Sequence, residues 1–325
     1  MQKDCRPEAK PGLASRCFAN PYLLLTLTML FWAGNSVAGR GVRDVVPPMA
    51  LAWLRWTLAA LIVLPFAWPH LKRDLPVIRA HWRILFLLGA IGAGTFVGIY
   101  YFGLTKTSAI NAMVINSAVP ILIPVASYTL YRDRLSLIQG TGIALSLAGV
   151  LAVLAKGDPA HLLSLNLNGG DLWILGSMLV WAVYTALLRE QPAMHWLSFA
   201  WITFFVASVV NLLPFAVEHI FVRQIQPTLE AFIGIAYVST LPAIVAQIFY
   251  IRSVELIGGN RAGAFMHFVP MFGAVLAMII LGETVHLFHL GGFALILAGV
   301  TLASRPGRVL YAGRAARTVP PRETA

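Results

Sequence analysis

Charge is scarce in this chain. Asp, Glu, Lys and Arg make up 11% of its 325 residues, against roughly 25% in a soluble globular domain. No Asp or Glu falls in the middle of a long apolar run; Asp133, Asp171, Glu190 and Glu283 all stand at run ends. That placement argues against acid–base catalysis by a central carboxylate pair. Cysteine is nearly absent, and Cys5 and Cys17 are expected to be free thiols, so no disulfide framework holds the fold. Gly89, Gly92, Gly94 and Gly98 are followed by no Gly-Lys-Ser/Thr and preceded by no strand pattern, which leaves close helix packing rather than a phosphate loop. His286 and His289 lack a third ligand. Neither a metal site nor a cofactor is expected.

Apolar residues are abundant instead, at 58% of the chain, with a mean hydropathy of +0.77. Runs long enough to cross about 30 Å of hydrocarbon as helices follow one another. We count ten, at about 20–39, 48–68, 84–103, 108–130, 136–155, 171–188, 196–216, 231–251, 262–282 and 287–304. The connections are short, and no stretch is left for a soluble catalytic or nucleotide-binding domain. The first run is longer than a signal-peptide core and is read as an uncleaved span.

A net charge of +11 invites a nucleic-acid partner, but its placement follows membrane topology. With the N-terminus cytoplasmic, eighteen of the 24 Lys and Arg residues fall on the cytoplasmic side and five, Arg40, Arg43, Lys106, Lys156 and Arg223, on the other, with Arg55 alone inside a span. The expectation is a multi-pass protein of the cell (inner) membrane with both termini cytoplasmic. Its basic tails meet lipid headgroups and it has no nucleic-acid partner.

Residues 119–150 recur at 269–300 without a gap. Val119, Pro120, Leu137, Gly142 and Gly149 return as Val269, Pro270, Leu287, Gly292 and Gly299, and Asp133 falls on Glu283. Upstream, Tyr100 maps to Tyr250 and Ala112 to Ala262. Ten helices in two copies give five per copy, and an odd number means that the copies cross the membrane in opposite senses. Inverted repeats of this kind place a solute site between the halves. The expected fold is therefore an all-α polytopic membrane protein of ten transmembrane helices in two inverted five-helix repeats. The segments are a cytoplasmic tail at 1–19, a first repeat at 20–155, a linker at 156–170, a second repeat at 171–304 and a basic tail at 305–325. The small-residue ridges of helices 5 and 10, Gly142/Gly149 and Gly292/Gly299, read as contact faces; whether they meet within one chain or across a homodimer stays open.

The chain also resembles the EamA-type members of the drug/metabolite transporter superfamily. The likeness runs through Phe31-Trp32-Ala33-Gly34-Asn35, Pro47-Pro48 followed by Arg55, Pro120, Gly170-Asp171-Leu172, Trp181-Ala182-Val183-Tyr184, Pro270, Gly282-Glu283 and Gly292 to Gly299. It implies ten helices, an inverted repeat and transport of amino acids or other small amphipathic metabolites, often outward, along a path lined by helices 3, 4, 8 and 9. The family often has Glu where this chain has Asp133, which leaves the role of that first-half acid open.

Several polar and aromatic side chains inside spans are candidates for the pathway. Arg55 costs at least about 2.5–3.5 kcal/mol in hydrocarbon. It either holds a solute carboxylate or phosphate or anchors neighbouring helices through backbone carbonyls. Asn35, Tyr100, Asn111, Asn116, Gln247, Tyr250 and His267 must bond a neighbouring helix or face water. Trp32, Trp181 and Tyr184 either stack on a solute or pack the bundle. His267, or Glu283 if it reaches inward, is where a proton-coupled carrier would titrate; uncoupled flux or exchange is the alternative. Pro120 and Pro270, central in helices 4 and 9, free backbone carbonyls and are candidate hinges. A carrier is expected rather than an enzyme. An integral-membrane enzyme acting on lipid or isoprenoid substrates is the rival, and such an enzyme should show clustered carboxylates or histidine motifs.

Overall fold

A computed structural model describes residues 17–107, 109–156, 158–163, 168–281 and 287–305. Among them ten helices are packed into one bundle. In the first half these are α1 (Pro21–Gly41), α2 (Pro48–Ala80), α3 (Trp82–Leu104), α4 (Ala109–Asn116 continued by Val119–Tyr131) and α5 (Leu137–Leu154). In the second half they are α6 (Gly169–Glu190), α7 (Trp196–Phe221), α8 (Leu229–Ile257), α9 (Gly259–Ala264 continued by Phe268–Leu281) and α10 (Leu287–Ala303). A short helix, Ala160–Leu163, lies between the halves. Hydrocarbon cannot hydrogen-bond a backbone, so each apolar run closes its own ladder as a helix. Large side chains such as Phe66, Leu213, Ile220 and Phe232 face outward from the bundle, as a lipid-facing surface requires.

Local chemistry sets the ends. Pro48 occupies the first turn of α2, where its missing N–H costs nothing. Ser136 and Gln139 form a reciprocal capping box on α5, and Asn168 and Asp171 do the same on α6. α2 is longer than its apolar run, extending to Ala80 through Pro65, Pro69 and Pro76. Tertiary contacts hold the extension: Asp74 is buried and accepts the backbone N–H of His195 at 2.9 Å at the start of α7, and the rings of His70 and His195 stack. α7 returns the favour at its other end, where Glu218 accepts the N–H of Ala50 at 2.9 Å in the first turn of α2. Each helix of the pair thus places a carboxylate on the positive end of its partner.

The packing follows the sequence repeat. α2 lies along α7, and α5 along α10. α1 packs on α8 and α9, while α6, its counterpart, packs on α3 and α4. The two small-residue ridges meet inside one chain: a Cβ on Gly142 would lie 2.4 Å from the backbone N of Ala303, and one on Gly149 would lie 2.6 Å from the carbonyl of Gly292. Only glycine lets these two backbones approach so closely, the usual device for helix contact in lipid.

Four helices are irregular, and they form two equivalent pairs. α3 contains a wide π turn at Gly89–Thr95 and α8 one at Leu241–Val245; the repeat offset carries 91–95 onto 241–245. α4 is broken by a turn at Ser117 and Ala118, and α9 tightens over Phe265–His267. Pro120 and Pro270 sit just beyond these two breaks, in the first turn of the following segments. Non-helical backbone at membrane depth is tolerated where it faces protein or a cavity, and here it surrounds one.

Candidate functional site

A cavity lies between the halves, with about 610 Å³ free of protein atoms when its open mouth is counted. Its walls come from α1, α2, α3, α4, α6, α8 and α9. α1 supplies Trp32, Asn35 and Ser36; α3 supplies Phe96, Tyr100 and Tyr101; α6 supplies Trp181. Asn116 stands at the break of α4 and Gln247 just past the π turn of α8. Arg55 of α2 lines the cavity and is 5% exposed. It is the one charged side chain among the described lining residues.

The Arg55 guanidinium is held by neutral groups. Its Nη1 donates to Asn35 Oδ1 at 3.1 Å and lies 3.5 Å from the Tyr101 hydroxyl, which itself donates to Asn35 at 3.3 Å. Its Nη2 donates to the carbonyl of Pro242 at 3.2 Å. The same carbonyl accepts Trp32 Nε1 at 3.3 Å. The π turn explains why it is available: widening the helix at Leu241–Val245 withdraws the ordinary ladder partner, so one backbone oxygen of α8 ties α1 and α2 together. Arg55 Nε has no acceptor, and among the described residues no carboxylate forms an ion pair with Arg55.

Aromatic rings pack the cavity wall. Trp181 meets Trp32 edge-on with ring centres 5.2 Å apart, Phe96 at 4.8 Å and Tyr250 at 5.2 Å. Gly92 makes room: a Cβ there would lie 2.2 Å from the Tyr184 ring.

Of the residues expected on the pathway, Trp32, Asn35, Arg55, Tyr100, Asn116, Trp181 and Gln247 line the cavity, whereas Asn111, Tyr184, Tyr250 and His267 do not. The polar atoms of these four are engaged between helices. Asn111 Nδ2 donates to Asp171 Oδ2 at 3.0 Å, tying α4 to the start of α6. The Tyr184 hydroxyl accepts from Gln247 Nε2 at 2.9 Å, and the Tyr250 hydroxyl bonds Thr185 at 3.0 Å.

His267 is fully buried, with Nε2 2.9 Å from the carbonyl of Ser117 and Nδ1 2.6 Å from Ser146 Oγ. The Ser117 carbonyl lacks its ladder donor, because the N–H of Ile121 turns to Ala118 instead. A carbonyl only accepts, so Nε2 carries the proton. Ser117 and His267 are equivalent positions of the two repeats, so the break of one half is satisfied by the break of the other.

Asp133 pairs with Arg189 at 2.8 Å, with Arg189 lying over the Tyr131 ring. Glu283 lies outside the described residues. Sequence reasoning missed Tyr101, Ser36 and the Pro242 carbonyl; the last had a faint signal, since Pro242 is the repeat mate of the cavity-lining Gly92.

Ten apolar helices around a mid-bundle cavity define a polytopic membrane transporter embedded in lipid and handling a small-molecule solute. The chain belongs to the EamA-like transporter family, whose sequence profile matches residues 20–155 and again 168–305. It is 27% identical to an uncharacterized transporter of Archaeoglobus fulgidus over 87% of this chain and 96% of that one. It is 24% identical to the uncharacterized transporter YyaM of Bacillus subtilis, covering 87% and 92%. The WAT1-related protein At3g02690, chloroplastic, of Arabidopsis thaliana is 24% identical over 88% of this chain and 69% of its own length. A solved crystal structure superposes with a TM-score of 0.71 at 18% identity, over 87% of this chain and 96% of that one, which is a likeness of fold. Membership in a transporter family sets aside the reading as a lipid-modifying enzyme.

Proposed function

We propose that this protein is a secondary carrier that binds a small amphipathic solute in the Arg55 cavity and moves it by alternating access, with export as the working direction. The cavity itself carries the reading, since both halves wall it and the four irregular helices meet around it. The π turns and the breaks beside Pro120 and Pro270 are places where segments pivot without exposing unpaired backbone. With both termini in the cytoplasm, as the basic loops imply, the Tyr131–Asp133–Arg189 cluster stands on the cytoplasmic face. On that half of the bundle a Cβ on Gly263 would lie 2.6 Å from Ile123 Cδ1, and Thr185 bonds Tyr250. These contacts hold the two halves together at that end. Export rests on the family resemblance, and the inner membrane and the orientation rest on the charge asymmetry.

The experiment is counterflow in liposomes. Purified protein should accelerate exchange of a cavity-binding solute, and Trp181→Ala should slow it by about five- to thirtyfold by removing an aromatic wall worth about 1–2 kcal/mol. Binding without exchange overturns the carrier reading.

A further inference from the structure

Among its described lining residues the cavity combines one cation, flat aromatic walls and no acid. Arg55 is buried, and its acceptors are an amide oxygen, a phenol and a backbone carbonyl, none of them charged. A guanidinium carries five N–H donors, and here Nε has none to receive it. A buried charge is ordinarily paired, and none of the ion pairs among the described residues includes Arg55.

We infer that the solute is an organic monoanion: a planar carboxylate on a flat apolar body, without a free ammonium group, its carboxylate held against Arg55 and its body between Trp32, Phe96 and Trp181. This inference rests on the cavity being the solute site. A carboxylate supplies the countercharge that the protein withholds, and it is a group that a guanidinium can hold through two bonds. An amino acid satisfies Arg55 equally but brings an ammonium into a wall with no carboxylate to receive it. An organic cation finds aromatic faces in the wall but no carboxylate among the described lining residues to offset its repulsion from Arg55. A phosphate dianion leaves one negative charge unmatched, since the described lining holds a single cation. The expected range of amino acids or other small amphipathic metabolites is thereby narrowed to organic anions.

Four compounds that share one ring and differ only in the head group test this: phenylacetate, phenylacetamide, phenethylamine and phenylalanine. Thermal stabilisation of the full chain in detergent should be seen with phenylacetate, with half-saturation at least about tenfold lower than for the other three. That comparison needs no variant and therefore stands even if Arg55 is required for folding. In Arg55→Lys, phenylacetate should bind about tenfold more weakly, because a point charge cannot make the two-bond contact; in Arg55→Gln its stabilisation should be lost. Equal stabilisation by the amide, preference for the amine or the amino acid, unaltered phenylacetate binding in Arg55→Gln, or no stabilisation by any of the four overturns the inference. Counterflow separates this failure from that of the carrier reading. Head-group-selective binding with no flux upholds the anion site and defeats the carrier. Flux of phenethylamine or phenylalanine that survives Arg55→Gln defeats the anion site and upholds the carrier.

Discussion

Gly92→Ala should cripple this protein although it adds a single methyl group. Gly92 lies in the π turn of α3 and faces Tyr184 of α6, where an added Cβ would sit 2.2 Å from both Cδ2 and Cε2 of the ring. Ordinary contact starts at 3.4 Å, so the ring or the helix must retreat by about 1.2 Å. Tyr184 has no room to yield: it is 1% exposed, its ring centre lies 5.1 Å from that of Trp181, and its hydroxyl accepts from Gln247 at 2.9 Å. A retreat of that size breaks the hydrogen bond. Forcing a methyl into a filled core costs about 1–3 kcal/mol, and the lost bond adds about 1 kcal/mol. The expected destabilisation is therefore about 2–4 kcal/mol, read as a lower melting temperature of the detergent-purified protein. Counterflow should fall as well, because Gln247 lines the cavity and loses its anchor. Tyr184→Ala removes the obstruction, so the double variant should be less impaired than additivity predicts, with a coupling of at least about 1 kcal/mol. An unaltered melting temperature in Gly92→Ala, or strict additivity in the double variant, refutes the reasoning.

Four further outcomes follow from other contacts in the bundle. His267→Phe keeps the ring volume but leaves the buried Ser117 carbonyl without a donor, so it should destabilise the fold by about 1–3 kcal/mol; a neutral effect in thermal melts would show that the tie between repeats is idle. Any response of flux to a pH gradient should survive in His267→Gln, since both ring nitrogens face helices and the residue lies off the cavity; its disappearance would return the proton path to His267. Asp133→Asn should alter initial flux by less than about fivefold, because a pair with side chains 31% and 46% exposed is worth about 0.2–1 kcal/mol, and a tenfold loss would mean the acid has another task. Gly149→Leu should prevent assembly of α5 on α10, whereas Gly140→Leu, with nothing within 4 Å of its Cβ position, should be neutral; comparable monodisperse yields of the two would contradict the packing.

What the sequence determined alone was everything that depends on solvent transfer and on symmetry. A bilayer obliges each apolar stretch to bond to itself, so span number and approximate limits follow from hydropathy, and the gapless repeat follows from residue identity. Pro120 and Pro270 pair by the repeat as candidate points of helix failure, because proline lacks a donor wherever it stands. The ends were less legible: α2 continues past its apolar run because Asp74 and His70 find partners on α7.

The site belongs to tertiary structure. Asn111 and Asn116 are close in sequence and equally polar, yet one spends its amide on Asp171 and the other faces the cavity. Hydropathy is a property of position along the chain; facing is a property of azimuth and neighbour, and the deciding partners lie far apart in sequence. Arg55 reaches a carbonyl 187 residues away, and that oxygen is free only because α8 widens at Leu241–Val245. The sequence could announce a cation in the membrane. Only the fold could show that it stands at a cavity with neutral partners, because that depends on which helices meet there.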